Sequence, residues 1–495
     1  MASTLVTPDH AGLSVDWHVA SRRWRTVALA TLTFVAAIFY TWSVLRYPVL
    51  SPVTLLVGLL CAAIVWRPLV GLCFVYAFVH LFEGGGADQL MLPGHFMYSS
   101  PQSTFGIQGI IITPLEVLLL LTFGTWLAQG IARRRIDFRG GQLFWPIMLF
   151  FSSMIFGLVR GRLSGGDLNV AFWESRALFY TIVCYFIATN TVRTRRHVRL
   201  LTAITLLGGG VFALAGVYRR VALIDTGRLG VIPEFAWSHD TVVFLATVLL
   251  VVILQQIFGA PRWQRLVGLA LFPVAGFTFL AMERRAGYIA FMGAFLALTL
   301  VFLIVHRRAF VFLALPICVG AAVYLPLFWN NTGMLGQPAR AIRSLSAPDA
   351  RDHSSNLARE MEKFNVRATI QANPIFGVGF GNQYYFVVPL PDMSWWPFFR
   401  YEPHHNILWV WLKTGTLGFI FFWTMVGTAL ARAAHLAKTL RAPELRVFAL
   451  LSLVGVVCVL VFSYVDLGLV SPRLTVFLGA ALGTLSVLDR IQATD

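Results

Sequence analysis

Two histidines and an asparagine, His404-His405-Asn406, stand where a mostly polar segment meets a membrane-grade apolar run in "EPHHNILWVWLKTGTLGF", residues 402–419. An imidazole titrates near neutral pH, so the pair either marks the water boundary of a helix or performs acid–base chemistry there. A second concentration of charge, Glu283-Arg284-Arg285 in "FLAMERRAGYIAF" (279–291), separates two apolar runs with almost no loop. Charges held that close to hydrocarbon are expensive. They read as a functional site, an internal ion pair, or arginines snorkelling to lipid phosphates. A third set, Arg340, Arg343, Arg351, Arg359 and Arg367 with Lys363, lies in the segment between. Arginine keeps its charge and grips phosphate oxygens two at a time, so arginines from separate elements make a suitable diphosphate clamp. That inference is diluted by a chain-wide preference, since only Lys363, Lys413 and Lys438 of the 39 basic residues are lysine.

The elements that must position these residues are membrane helices. With 58% hydrophobic and 12% charged residues and a mean hydropathy of +0.73, the chain is too apolar for a soluble globular protein. Apolar runs of about 16 to 22 residues, long enough to cross a hydrocarbon core as helix, recur from Thr26 to Asp489. The expected fold is all-α and polytopic, with roughly 12–14 transmembrane helices. No small-residue cleavage site precedes Thr26, so the first span reads as a retained helix. A net charge of +17 would suggest nucleic acid in a soluble protein, but here the basic clusters fall on alternate loops. That is the positive-inside pattern, so it sets topology, puts both termini in the cytoplasm and gives no nucleic-acid partner. The five cysteines all lie inside apolar runs and imply neither disulfides nor a metal site.

The outer segments then include 83–109, 160–175, 218–239, the turn at 283–285, the long stretch from Phe328 to His404, and a turn around Asp466. Outer carboxylates exist at Glu83, Asp88, Asp167, Glu174, Glu234, Glu402 and Asp466, but without a D-x-D pair, so neither metal nor cofactor is expected. The long stretch shows no obvious periodicity and holds "NPIFGVGFGN". A dinucleotide fingerprint would need a βαβ unit around it, so its glycines are read as sharp backbone turns.

"NPIFGVGFGN" followed by "HHNILWVWLKTGTLGF" resembles the signature region of the O-antigen ligase and polymerase superfamily. In that family an arginine precedes the first phrase by about fourteen residues, a slot filled by Arg359, and a second arginine opens an outer helix, a slot filled by Arg285. Here "RRAGY" replaces the family's "SRGAW", which leaves Arg284 as an alternative, and the doubled histidine leaves His404 as a fallback for His405. The resemblance implies a GT-C-like fold and an inverting, metal-independent glycosyl transfer. The donor is an undecaprenyl-diphosphate-linked glycan, and the acceptor is a glycan or lipid A core hydroxyl. It implies a bacterial inner membrane with a periplasmic site, and a chain-length regulator as a candidate partner. Within it, His405 is expected as general base with Arg285 and Arg359 on the diphosphate, and Arg284, His404 and Asn406 as substrate-binding residues. The chain divides into a cytoplasmic tail (1–25), transmembrane helices with short loops (26–327), one large periplasmic loop (328–404), C-terminal transmembrane helices (405–489) and a cytoplasmic tail (490–495). A polysaccharide transporter or flippase and a non-catalytic assembly partner are the competing expectations.

Overall fold

The computed structural model describes scattered helical positions between residues 26 and 41, then residues 51–83, 95–99, 111–134, 136–227, 238–344, 346–347, 350–393 and 396–494. The tail 1–25, most of the expected first span, and the side chain of Arg351 lie outside the described residues. Among the described residues all regular structure is helical. Among the described residues nine helices are long and apolar enough to cross a membrane, or up to ten if a pair bent by 43° near the C-terminus counts as one span. Three shorter apolar helices, 55–66, 68–81 and 315–328, accompany them. The chain is a multi-pass membrane protein.

It falls into two compact units. The first takes the described residues up to Gly71 together with Leu120–Phe138. It holds α1 (Ser51–Trp66), the start of α2 (Pro68–Leu81) and most of α3 (Pro114–Ala132), tied by Gln129 Nε2 donating to Val65 O at 2.7 Å.

The second unit, Leu72–Leu119 with Arg139–Asp495, holds the residues singled out above. Its helices are α4 (Phe144–Leu163), α5 (Leu168–Thr191), α6 (Arg195–Tyr218), α7 (Thr241–Phe258), α8 (Arg262–Ala281), α9 (Arg285–Val305) and α10 (Arg307–Phe328). After them come α11 (Gln337–Arg343), α12 (Ala350–Ala372), α13 (Asn406–Thr439), α14 (Pro443–Val465), α15 (Pro472–Leu485) and α16 (Leu488–Thr494). Helices α7 and α14 are the most enclosed spans and form the centre, their side chains packed mostly inside the bundle. α5 lies against α15, α9 against α14, and α13 against both α4 and α14. The α5–α15 approach depends on Gly479 and Gly483, spaced four apart: a Cβ at either would stand 2.4 Å from the α5 carbonyl of Thr181 or Tyr185.

Polar cross-links close one end of this bundle. Arg473, 1% exposed, donates to Asp240 Oδ1 (2.6 Å), Thr241 Oγ1 (2.9 Å) and Val79 O (3.0 Å). Ser471 Oγ donates to Asp240 Oδ2 at 2.6 Å. Arg219 pairs with Glu83 at 3.3 Å. At the same end the 328–404 segment is far from irregular. It carries α11 and the 23-residue α12, a helix that hydropathy does not reveal.

Candidate functional site

The site is assembled around α12. At its start, Arg285 Nη1 donates to Ser344 Oγ and Nη2 to Asn356 Oδ1, both at 3.4 Å, so the first residue of α9 is carried to the α11–α12 corner. The turn that delivers it is tightly specified. Glu283 adopts φ +52°, a left-handed conformation unusual outside glycine. Its carboxylate pairs with Arg220 at 3.4 Å and accepts from Gln337 Nε2 at 3.4 Å. Tyr288 OH reaches back to Leu280 O at 2.9 Å, which staples α9 to α8 across the turn. Arg284, the N-cap of α9, is half-buried beside it.

Asn356, Arg359, Glu362, Lys363 and Arg367 recur at helical spacing on α12, so Arg359 sits one turn along from the Arg285 contact. The charge of Arg359 disfavours the His404 imidazolium and favours the Asp466 carboxylate, so it lies within electrostatic reach of the "HHN" turn. Arg340 donates to Gln337 at 3.4 Å, the residue bound to Glu283, and Arg343 donates to Trp329 O at 2.8 Å.

The two histidines are wired differently. His404 donates its backbone N–H to Glu362 Oε2 at 2.9 Å, and its ring Nδ1 lies 3.2 and 3.3 Å from the two oxygens of the same carboxylate. Its side chain is 28% exposed and Glu362 only 4%. Burial works against the His404 imidazolium, but the hydrogen bond and charge of Glu362 and the charge of Asp466 outweigh it against Arg359, and the pKa stands above its usual value. His405 instead caps α13, its Nδ1 accepting from Leu408 N–H at 3.2 Å, while its ring meets Tyr464 edge-on at 4.4 Å. Burial first, then the charges of Lys363 and Arg367, push His405 down to about 4.

Asn406, expected to touch substrate, is fully enclosed. Its Oδ1 accepts from Leu469 N (2.8 Å) and Val470 N (3.3 Å) and its Nδ2 donates to Pro403 O (3.0 Å), so the amide fastens the 403–406 turn to the loop after α14. That loop carries Asp466, 3.4 Å from His239. Burial alone would raise the Asp466 pKa, yet His239, Arg359 and His404 together hold it well below the carboxylate range.

"GVGFGN" is driven into the bundle. Gly377, Gly379 and Gly381 have φ of +64°, +79° and +82°, as expected of glycines that turn the backbone. Val378 N donates to Leu412 O at 2.8 Å and Phe380 N to Gly157 O at 3.1 Å, so the loop pairs with α4 and with α13 where Gly415 breaks the helix. Sequence reasoning missed what lies beneath it. Lys413 Nζ is 2.7 Å from Glu174 Oε1, both side chains wholly buried, and Glu174 Oε2 accepts from Gly381 N at 2.6 Å. A lysine inside an apolar run was the available signal. Nearby Glu402 has its carboxyl pKa held well above the usual range by burial and by Glu174, against Lys413.

A cavity lined by Phe150, Leu178, Phe422, Met425, Val456 and Leu478 is apolar, with no charged group in its lining. Among the described residues no three His, Cys, Asp or Glu side chains gather as a metal site. A comparison with curated proteins gives no match. The family described as O-Antigen ligase does match, over residues 269–423, and the matched segment runs from α8 into α13 and contains both arginines, Glu362 and the histidine pair.

Proposed function

We propose that the protein is an integral-membrane glycosyltransferase of the O-antigen ligase or polymerase type. It moves a glycan from undecaprenyl diphosphate to an acceptor hydroxyl with inversion, on the periplasmic face, during surface polysaccharide synthesis. The observation that carries this reading is that Arg285 of α9 is bound to Asn356 of α12, one turn from Arg359 on that helix, whose charge reaches the histidine pair, all inside the matched segment. Breaking the glycosyl–phosphate bond puts negative charge on the departing diphosphate. Two guanidinium groups held from separate elements stabilise that charge as it develops, the largest contribution in most such sites. The acceptor hydroxyl is a weak acid and needs a base within hydrogen-bond reach, which an imidazole supplies. With arginines on the diphosphate, no metal ion is required.

The reading is tested in the source bacterium by replacing the chromosomal copy with Arg285→Ala or Arg359→Ala. Lipid-linked glycan should accumulate and surface polysaccharide should be lost at unchanged protein level. Normal surface glycan in both variants overturns it. Donor consumption in isolated membranes should also persist in chelator, and chelator-sensitive consumption refutes the metal-free step.

A further inference from the structure

The two adjacent imidazoles cannot play the same part, because each already has its Nδ1 committed, and in opposite senses. In His405, Nδ1 accepts from the Leu408 N–H at 3.2 Å. Its single ring proton therefore sits on Nε2, and the ring can only donate there. In His404, Nδ1 faces a carboxylate, which has no proton to give, so Nδ1 donates and Nε2 carries the lone pair. The carboxylate is itself fixed. Glu362 also accepts the His404 backbone N–H at 2.9 Å, and Tyr384, whose hydroxyl donates to Phe399 O at 2.8 Å, packs beside it. Trp396 closes the other side of the imidazole, ring centroids 5.7 Å apart.

Resting on the function proposed above, we infer that His404 Nε2 is the base for the acceptor hydroxyl, that Glu362 is its positioning residue, and that His405 is a hydrogen-bond donor. The hydroxyl proton passes to His404 Nε2 as the oxygen bonds to the anomeric carbon. The bond from that carbon to the diphosphate oxygen breaks, and its electron pair leaves with undecaprenyl diphosphate. The imidazolium so formed lies between Glu362 of α12 and Asp466 beyond α14, with Arg359 opposing them. It returns its proton to water or to the departing diphosphate. His405, facing Lys363 and Arg367 of α12, remains neutral across this cycle and has no lone pair to offer.

The test is pH-dependent consumption of endogenous lipid-linked glycan in membranes of the source bacterium carrying full-length wild type, His404→Ala, His405→Asn, Glu362→Gln or Glu362→Asp. Asparagine keeps the α13 cap. Wild-type consumption should fall as pH drops through the raised His404 pKa, since a protonated ring accepts nothing. His404→Ala should lose about 10²- to 10⁴-fold, the usual worth of a general base, while the lipid-linked glycan still co-purifies with it. Glu362→Gln should lower the plateau and move the acid limb to lower pH, with Glu362→Asp partly restoring both; a merely structural glutamate would lower the plateau and leave the limb in place. His405→Asn should keep the wild-type limb. The inference is overturned if His404→Ala retains wild-type rates, if His405→Asn abolishes the limb, or if Glu362→Gln leaves it unmoved. If wild type consumes no donor, or Arg285→Ala consumes it normally, the transferase reading itself fails.

Discussion

Replacing Lys413 with methionine tests whether the glycine-rich loop is held by charge. Lys413 Nζ contacts Glu174 Oε1 at 2.7 Å and Asn382 O at 2.6 Å, and both ion-pair side chains are 0% exposed. Without the ammonium, a carboxylate and a carbonyl lose their donor in an enclosed site, a loss of about 3–5 kcal/mol for a buried pair. Glu174→Gln, leaving the ammonium unpaired, should cost a similar amount. The double variant should cost much less than the sum. An amide oxygen can still accept from Gly381 N, which lies 2.6 Å from Glu174 Oε2, and no charge is left uncompensated. The expected coupling is at least about 2 kcal/mol, within the range for residues in one network. Equilibrium unfolding of the purified variants in mixed micelles measures it, with donor consumption as a second readout, because Gly381 and Asn382 follow the pair. Single variants within about 0.5 kcal/mol of wild type, or strictly additive costs, would refute a buried, mutually dependent pair.

Arg285→Lys keeps the charge but loses the planar fork, and losing one charge-assisted hydrogen bond of about 1.5–3 kcal/mol should lower donor consumption about 10- to 100-fold. Arg340→Ala should be mild. Gly161→Ala would put a Cβ 1.9 Å from Phe380 O and 2.8 Å from Phe380 N, so the loop must retreat from α4, at about 1–3 kcal/mol in thermal stability and with reduced transfer. Gly276→Ala, with nothing within 4 Å of the added carbon, should be neutral. For topology, a cysteine at Ser346 in a cysteine-free background should react with a membrane-impermeant maleimide from the periplasm, and cysteines at Thr194 and Thr439 should not; labelling of Ser346 from the cytoplasm alone would invert the orientation and remove the proposed site from the periplasm.

Hydropathy makes the spans legible because each is a local property of one run of residues, and the α13 boundary at His405 follows from the same contrast. The pairing of Glu174 with Lys413 is not local. Nothing in either run names its partner, and only the cost of an isolated buried charge says that a partner exists. Helix α12 was lost for a different reason. Its buried positions, Glu362, Asn365, Val366, Thr369 and Ile370, do recur at helical spacing, but three of the five are polar, so no apolar stripe marks them. Its polar members face irregular backbone. Asn365 accepts from Val387 N and Val388 N at 2.9 and 2.8 Å, Thr369 from Tyr385 N at 2.8 Å, and Glu362 from His404 N at 2.9 Å. Buried backbone N–H groups require partners, and where the chain forms no helix of its own, side chains of a neighbouring helix must supply them. The carboxylate proposed to orient His404 is thus one of a row of acceptors that hold the 385–404 segment in place. It follows that Glu362→Gln, which preserves an acceptor for the His404 backbone N–H while removing the charge, separates the two duties where Glu362→Ala would confound them.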